Sequence, residues 1–146
     1  MTSIKVVCKS QYGIPEYKHL GDSGMDVKTT IPEPVVLKPL ERKLFPTGLW
    51  FSIPIGYEIQ VRPRSGLALN YGITVLNTPG TVDSCYRGEV GVILVNLSSE
   101  PVTINPGERI AQLVLVKVEK ANLEVVTELL DETDRGESGY GQSGLY

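Results

Sequence analysis

The sequence predicts an all-β sandwich or barrel with one short helix and a flexible, glycine-rich C-terminal tail. Three observations point there. Short segments rich in Val, Ile and Leu recur along the chain. Turn signals separate them at close intervals: Ser-Ile-Pro-Ile-Gly (52–56), Asn-Thr-Pro-Gly (77–80), Ser-Ser-Glu-Pro (98–101) and Asn-Pro-Gly-Glu (105–108). Glycine and proline, 15 and 10 residues, make up about 17% of the chain against a usual 12%. Many short strands with regular turns are the pattern of a sandwich or barrel.

Taken in order, residues 4–8 read as a strand. Residues 57–63 alternate, with Tyr57, Ile59 and Val61 on one face and Glu58, Gln60 and Arg62 on the other. That is the period of a half-buried strand. Residues 65–72, Ser-Gly-Leu-Ala-Leu-Asn-Tyr-Gly, predict about two turns of helix, with Ser65 as its N-cap and Gly72 at its end. Residues 90–96 and 110–118 are apolar on both faces and β-branched, which suits strands buried on two sides. A last strand is expected at 123–126. From Asp131 the composition shifts to four glycines and five charges in sixteen residues, with no strand pattern. The expected organisation is a β domain over 1–130 and a tail segment over 131–146, where fraying is the commonest fate.

With 146 residues there is room for one hydrophobic core and not for two. Apolar residues are 41% and charged residues 21%, close to ordinary globular usage. No apolar run approaches the roughly 20 residues of a membrane helix, and Met1-Thr-Ser-Ile-Lys lacks the layout of a signal peptide. Neither a membrane nor nucleic acid is expected as a partner: a net charge of −3 argues against a general nucleic-acid binder. A small anionic ligand is compatible with that balance, because a few focused arginines can hold one against an acidic average. Two cysteines, Cys8 and Cys85, and one histidine, His19, form neither a disulfide framework nor a zinc spacing. A reduced, cytoplasmic protein is the expectation.

Several segments could carry chemistry. Gly139-Tyr-Gly-Gln-Ser-Gly144 matches G-x-G-x-x-G, but that fingerprint needs a helix after it, and only two residues follow. What survives is a glycine-rich stretch near Arg135 whose amides could wrap an anion. Arg64-Ser65-Gly66 lies between the alternating strand and the short helix, where free amides and an arginine fork suit phosphate oxygens. A plain cap with a solvated arginine is the competing reading. In the 77–89 segment, Pro79-Gly80 bends the chain sharply and leaves backbone N–H and C=O groups beside Val82 and Asp83. Such groups can read the edge of a planar base, with Tyr86 as a nearby flat ring. An ordinary hairpin whose Asp83 takes local backbone bonds is the alternative. Cys85 reads as a structural thiol and His19 as a surface histidine.

The chain resembles the trimeric-type dUTP pyrophosphatases (dUTPases). Five segments match that family's five ordered motifs: Asp22-Ser-Gly-Met-Asp-Val27; Pro63-Arg-Ser-Gly-Leu-Ala68; the 77–89 stretch with Val-Asp-x-x-Tyr-Arg-Gly-Glu; Gly107-Glu-Arg-Ile-Ala-Gln-Leu113; and Arg135-Gly-x-x-Gly-Tyr-Gly-x-Ser-Gly144. The resemblance implies a jelly-roll-like fold, a homotrimer with sites shared between subunits, and hydrolysis of dUTP to dUMP and pyrophosphate. It implies that Asp83 polarises the attacking water and that Gly80 and Val82 bond the uracil edge through their backbones. Asn77 would line the base pocket and Tyr86 would lie under the deoxyribose. Arg64, Ser65, Gln112 and Arg135 would contact the phosphates, with Gly66 letting the backbone approach. Asp26 would organise the phosphate side, through an arginine or through a metal's water shell. The tail would close over a neighbour's site, bringing Arg135 to the γ-phosphate and Tyr140 and Gly141 to the base. One Mg²⁺ is implied, held by the triphosphate and water and by no side chain directly.

Two departures stand out. Tyr140 replaces the family's usual phenylalanine and keeps its stacking face. Asp22-Ser23 stands where alanines are common, leaving the local packing open. A dCTP deaminase of the same superfamily and a nucleotide-sensing protein without chemistry are the other readings. Arg135 in the tail and Asp83 weigh against both.

Overall fold

In the computed structural model of the chain, residues 2–128 and 133–139 are described. Eleven strands and one helix follow each other as β1 (Lys5–Cys8), β2 (Met25–Lys28), β3 (Val35–Leu37), β4 (Arg42–Pro46), β5 (Leu49–Ser52), β6 (Tyr57–Arg62), α1 (Ser65–Tyr71), β7 (Ile73–Val75), β8 (Gly80–Val82), β9 (Gly91–Asn96), β10 (Val102–Ile104) and β11 (Arg109–Lys117). They form an all-β, jelly-roll-like fold of four antiparallel sheets. The strand orders are β2-β11-β6-β8, β4-β9-β7, β1-β5 and β10-β3. Every sheet sends side chains into one continuous core that includes Val27, Leu37, Phe45, Leu49, Ile59, Ile73, Val82, Leu94, Ile104 and Leu113.

The strands form where their patterns demand. In β6, Ile59 and Val61 are buried, while Glu58, Gln60 and Arg62 are half-buried on the opposite face. There they link as a polar ladder: Gln60 Nε2 donates to Glu58 Oε1 at 2.7 Å, and Arg62 Nη2 donates to Gln60 Oε1 at 2.7 Å. β11 pairs with β2 on one edge and β6 on the other, and its successive residues Leu113 and Val114, which point to opposite faces, are both buried. β9 is likewise flanked, by β4 and β7. Its last residue, Asn96, is fully buried and fully used: Nδ2 donates to Leu37 O and Glu100 O, and Oδ1 accepts from Ser98. A buried amide so satisfied fixes where β9 stops and the 97–100 turn begins.

Two expected details differ. The helix begins one residue earlier in its cap: Arg64 is the N-cap, extended at φ −96° and ψ 129°, and Ser65 is the first helical residue. No side chain caps this end. The Arg64 guanidinium instead reaches outside the helix, to Asp26 Oδ1 and Arg109 O. The other end is as expected, with Gly72 left-handed at φ 65° and donating to Ala68 O. A Cβ at Gly72 would come within 2.9 Å of Ser98 N, so glycine is required there on two grounds. The second difference is at 123–126, which is not a strand; Leu123 and Val125 are 88% and 97% exposed. The segment has strand-like side chains but pairs with no described strand, and a lone strand is unstable in water.

No helix among the described residues is long and apolar enough to cross a membrane. Leu94 is fully buried in the middle of β9. Leu94→Ala should cost about 2–5 kcal/mol, measured as a lowered urea midpoint at fixed protein concentration.

Candidate functional site

The sequence-derived residues fall into two groups, one along β8 on one side of β6 and one on β2, β11 and the start of α1. The first is built on β8, the edge strand of the four-stranded sheet. β8 pairs with β6 through Val82↔Ile59 and Gly80↔Val61, which leaves its outer edge free among the described strands. The chain enters it through the Thr78–Pro79 cis peptide. β7 and β8 belong to different sheets, so the 77–80 bend is a corner between sheets and not a paired hairpin. Gly80 is buried and packed so closely that a Cβ would meet Val61 Cβ at 3.1 Å and Asn77 Nδ2 at 3.4 Å.

A cavity of about 330 Å³ opens beside this edge, lined by Asn77, Gly80, Val82, Tyr86 and Glu89 among others. That is at the small end of ligand pockets. Asp83, Tyr86 and Glu89 line a smaller adjoining cavity of about 170 Å³. The backbone carbonyl of Asp83 accepts from Tyr86 N at 3.1 Å, closing a turn. Its carboxylate is exposed and makes neither a hydrogen bond nor an ion pair among the described residues. An acidic group spent on local structure would not be free in this way.

The second group is held by β2 and β11. Asp26 on β2 lies opposite Gln112 on β11. Arg64 Nε donates to Asp26 Oδ1 at 3.1 Å, and Arg109 Nη1 stands 3.4 Å from Asp26 Oδ2. Arg64 Nη1 also donates to Arg109 O at 3.0 Å. One carboxylate therefore aligns two guanidinium groups and leaves the cluster with a net positive charge. Of the two roles open to Asp26, the structure favours the arginine. Gln112 Nε2 donates to Pro63 O at 3.0 Å, pinning the segment that leads into Arg64, Ser65 and Gly66. Gln112 Oε1 lies directly over Gly24, so β11 packs closely on the residue before β2.

Ser65 and Gly66 are exposed, and the Ser65 hydroxyl has no hydrogen bond among the described residues. Asp22 serves the local backbone, where its Oδ2 accepts from His19 N at 2.8 Å and closes the turn before β2. Arg135 is exposed, with Nε donating to Ser138 O at 2.8 Å. Tyr140 and Gly141 lie outside the described residues. Cys8 and Cys85 are both free and exposed, so Cys85 is not a buried structural thiol.

Sequence reasoning passed over Arg109 and Glu89, although both sit inside quoted motifs. The register of β11 against β2 shifts between Arg109 and Ala111, a bulge that redirects the strand at the point where Arg109 turns to Asp26. No local pattern announces a bulge.

A backbone-lined pocket and a separate arginine cluster suit a ligand with a flat polar end and an anionic end. Comparison with known proteins names the class. The dUTPase family model matches residues 10–144, and the chain belongs to the dUTPase family. It is an enzyme of that family. It is 58% identical over 141 residues to the deoxyuridine 5'-triphosphate nucleotidohydrolase of Fusobacterium nucleatum, covering 97% of this chain and 96% of that one. A second such nucleotidohydrolase, from Bdellovibrio bacteriovorus, is 58% identical over 131 residues, 90% of this chain and 87% of its own. Among solved structures, a Staphylococcus bacteriophage 80alpha dUTPase with dUpNHpp has a TM-score of 0.84 at 28% identity, over 99% of this chain and all of that one. A mutant dUTPase from phage phi11 of S. aureus, described with a structural Mg(II) ion, has a TM-score of 0.79 at 25% identity, over 89% of this chain and 100% of that one.

The Asp26, Arg64 and Arg109 side chains remain 34%, 26% and 50% exposed. Ion pairs this open contribute little to folding. Asp26→Asn should therefore change unfolding free energy by less than about 1 kcal/mol, measured by urea titration.

Proposed function

We propose that the chain hydrolyses dUTP to dUMP and pyrophosphate, keeping uracil out of DNA and supplying dUMP for thymidylate synthesis. The observation that carries this reading is the unpartnered Asp83 carboxylate beside a free backbone edge and a small pocket. The uracil enters that pocket, where the backbones of Gly80 and Val82 bond its polar edge and Asn77 lines one side. A pocket alone refuses one extra methyl by only about 1–3 kcal/mol; a backbone edge packed on Val61 cannot move aside as a side chain can. Cytosine presents a donor where uracil presents an acceptor, and each mismatched buried group costs about 1–3 kcal/mol. Tyr86 lies under the deoxyribose, leaving no room for a ribose 2′-hydroxyl.

Asp83 accepts a proton from a water molecule as its oxygen attacks the α-phosphorus, and pyrophosphate leaves. Arg64, Ser65, Gln112 and Arg135 contact the phosphates, with Gly66 admitting the backbone to them. Asp26 acts through its two arginines, keeping Arg64 and Arg109 turned the same way.

Among the described residues no three His, Cys, Asp or Glu side chains converge as a metal cage, and Asp26 is occupied by arginines. That donor set fits a Mg²⁺ held by phosphate oxygens and water, with no side chain of this chain on it directly. Bound there, the ion neutralises triphosphate charge.

A single copy supports only part of this chemistry. Continuing the β8 register puts Asp83 level with Glu58, while Arg64 follows the far end of β6. The two side chains thus stand on opposite sides of β6 along the chain direction. The groups meet if copies of the chain build the site together, and a homotrimer with three shared sites satisfies this. The exposed Leu123 and Val125 also favour assembly, since apolar side chains in an unpaired segment gain from a partner. In that assembly the 131–146 segment acts as a lid over the 1–130 domain of a neighbour, bringing Arg135 to the γ-phosphate and Tyr140 and Gly141 to the base. Free, exposed Cys8 and Cys85 suit the reducing cytoplasm.

Incubation with dUTP, UTP, dCTP and dTTP tests the reading. Pyrophosphate should form from dUTP alone; deoxyuridine nucleotides appearing from dCTP would overturn it in favour of deamination. Asp83→Asn should retain nucleotide binding while turnover falls at least 100-fold, by single-turnover assay.

A further inference from the structure

Tyr86 is 46% exposed and sits in a loop, so something must hold its ring still if it is to police the sugar. Two features do so. Its hydroxyl donates to Glu89 O at 3.0 Å. Its ring folds over Gly88, where a Cβ would collide with the phenol oxygen and Cζ. Both contacts lie within the loop itself, as do the bonds of Arg87 Nη1 to Ser84 O and Tyr86 O. Local bonds shape a loop without locating it.

The location comes from Glu89. Its side chain is half-buried, and Oε1 accepts from Gly48 N at 2.8 Å, across 41 residues. Among the described residues this is the hydrogen bond that ties the 84–89 loop to another part of the fold. The receiving turn is itself rigid. Gly48 is left-handed at φ 68°, and a Cβ there would lie 2.9 Å from Ser10 N, so the turn packs directly on the 9–10 backbone. Thr47 Oγ1 donates to Val90 O and Val90 N donates to Leu49 O, clamping the residue after Glu89 to the same turn. Glu89 thus joins the β4–β5 turn to the tyrosine, through its carboxylate on one side and its carbonyl on the other. It also lines both cavities at the β8 edge.

We infer that Glu89 is a positioning residue for sugar discrimination: its bond to the Gly48 amide fixes the height of the Tyr86 ring against the 2′ carbon. The inference rests on the dUTP reading above. A carboxylate accepting a backbone N–H is a strong hydrogen bond, and its loss frees the ring to yield to a 2′-hydroxyl. The consequence is specific. UTP should gain relative to dUTP, while the base edge on β8 and the Asp83 carboxylate stay in place.

The test compares kcat/KM for dUTP and for UTP in wild type, Glu89→Ala, Glu89→Gln and Tyr86→Phe, with thermal unfolding as the fold control. Glu89→Ala should lower the dUTP-to-UTP ratio at least tenfold, mainly through a lowered KM for UTP. Glu89→Gln keeps a carbonyl oxygen for the Gly48 N–H and should restore the ratio to within about threefold of wild type. Tyr86→Phe removes the hydroxyl anchor and leaves the Glu89–Gly48 bond intact, so it must lower the ratio even if Glu89→Ala fails to fold. The inference is overturned if Glu89→Ala folds and loses kcat with the ratio unchanged, or if Tyr86→Phe leaves the ratio unchanged. A wild type that fails to act on dUTP defeats the underlying reading instead, which keeps the two failures distinct.

Discussion

Strand β6 is hydrogen-bonded along both edges, to β11 on one side and β8 on the other, and its shared register fixes where Gly80, Val82 and Gln112 stand. Gly80 is level with Val61 because β8 can pair only on that side; Gln112 is level with Arg62 because β11 pairs on the other. Slipping either neighbour by one residue would turn Val82 or Leu113 out of the core, so the register is held by burial. The cost of that rigidity is separation. Asp83 follows β8 one step past the Val82–Ile59 pair, while Arg64 follows Arg62 at the other end of β6.

Charge follows the same division. The chain is acidic overall at −3, yet Arg64 and Arg109 converge on one carboxylate and leave a locally positive surface. Asp83 stands apart from them, with no cation of the described residues against its carboxylate. A base needs a free lone pair, and an anion site needs unspent cations. Asp83 and the two arginines make no ion pair with each other, so neither charge neutralises the other.

Much of this was legible in the sequence, and the limits are instructive. The alternation at 57–62 and the doubly apolar runs of β9 and β11 are local signals, and each became a strand in the expected setting. Gly72 ended the helix as its lack of a side chain suggested. The five motif segments named the family. What stayed hidden depends on residues far apart in the chain. Arg64 stands at the cap position with its guanidinium on Asp26, 38 residues earlier. Glu89 matters through Gly48, and Arg109 through a bulge, neither of which a window of neighbouring residues contains. Residues 123–126 failed as a strand for a related reason. Their side chains suit a sheet, but pairing requires an edge, and composition says nothing about which chain supplies it.

Complementation between inactive variants tests the division of the site most directly. Asp83→Ala removes the base and Arg64→Ala removes a phosphate contact, and each alone should be nearly inactive. Co-refolded in equal amounts, the two should recover about a quarter of wild-type activity, as random mixing of shared-site subunits requires. Recovery of nothing above the separate variants would mean that one copy carries its own complete site, and the proposed sharing would be wrong.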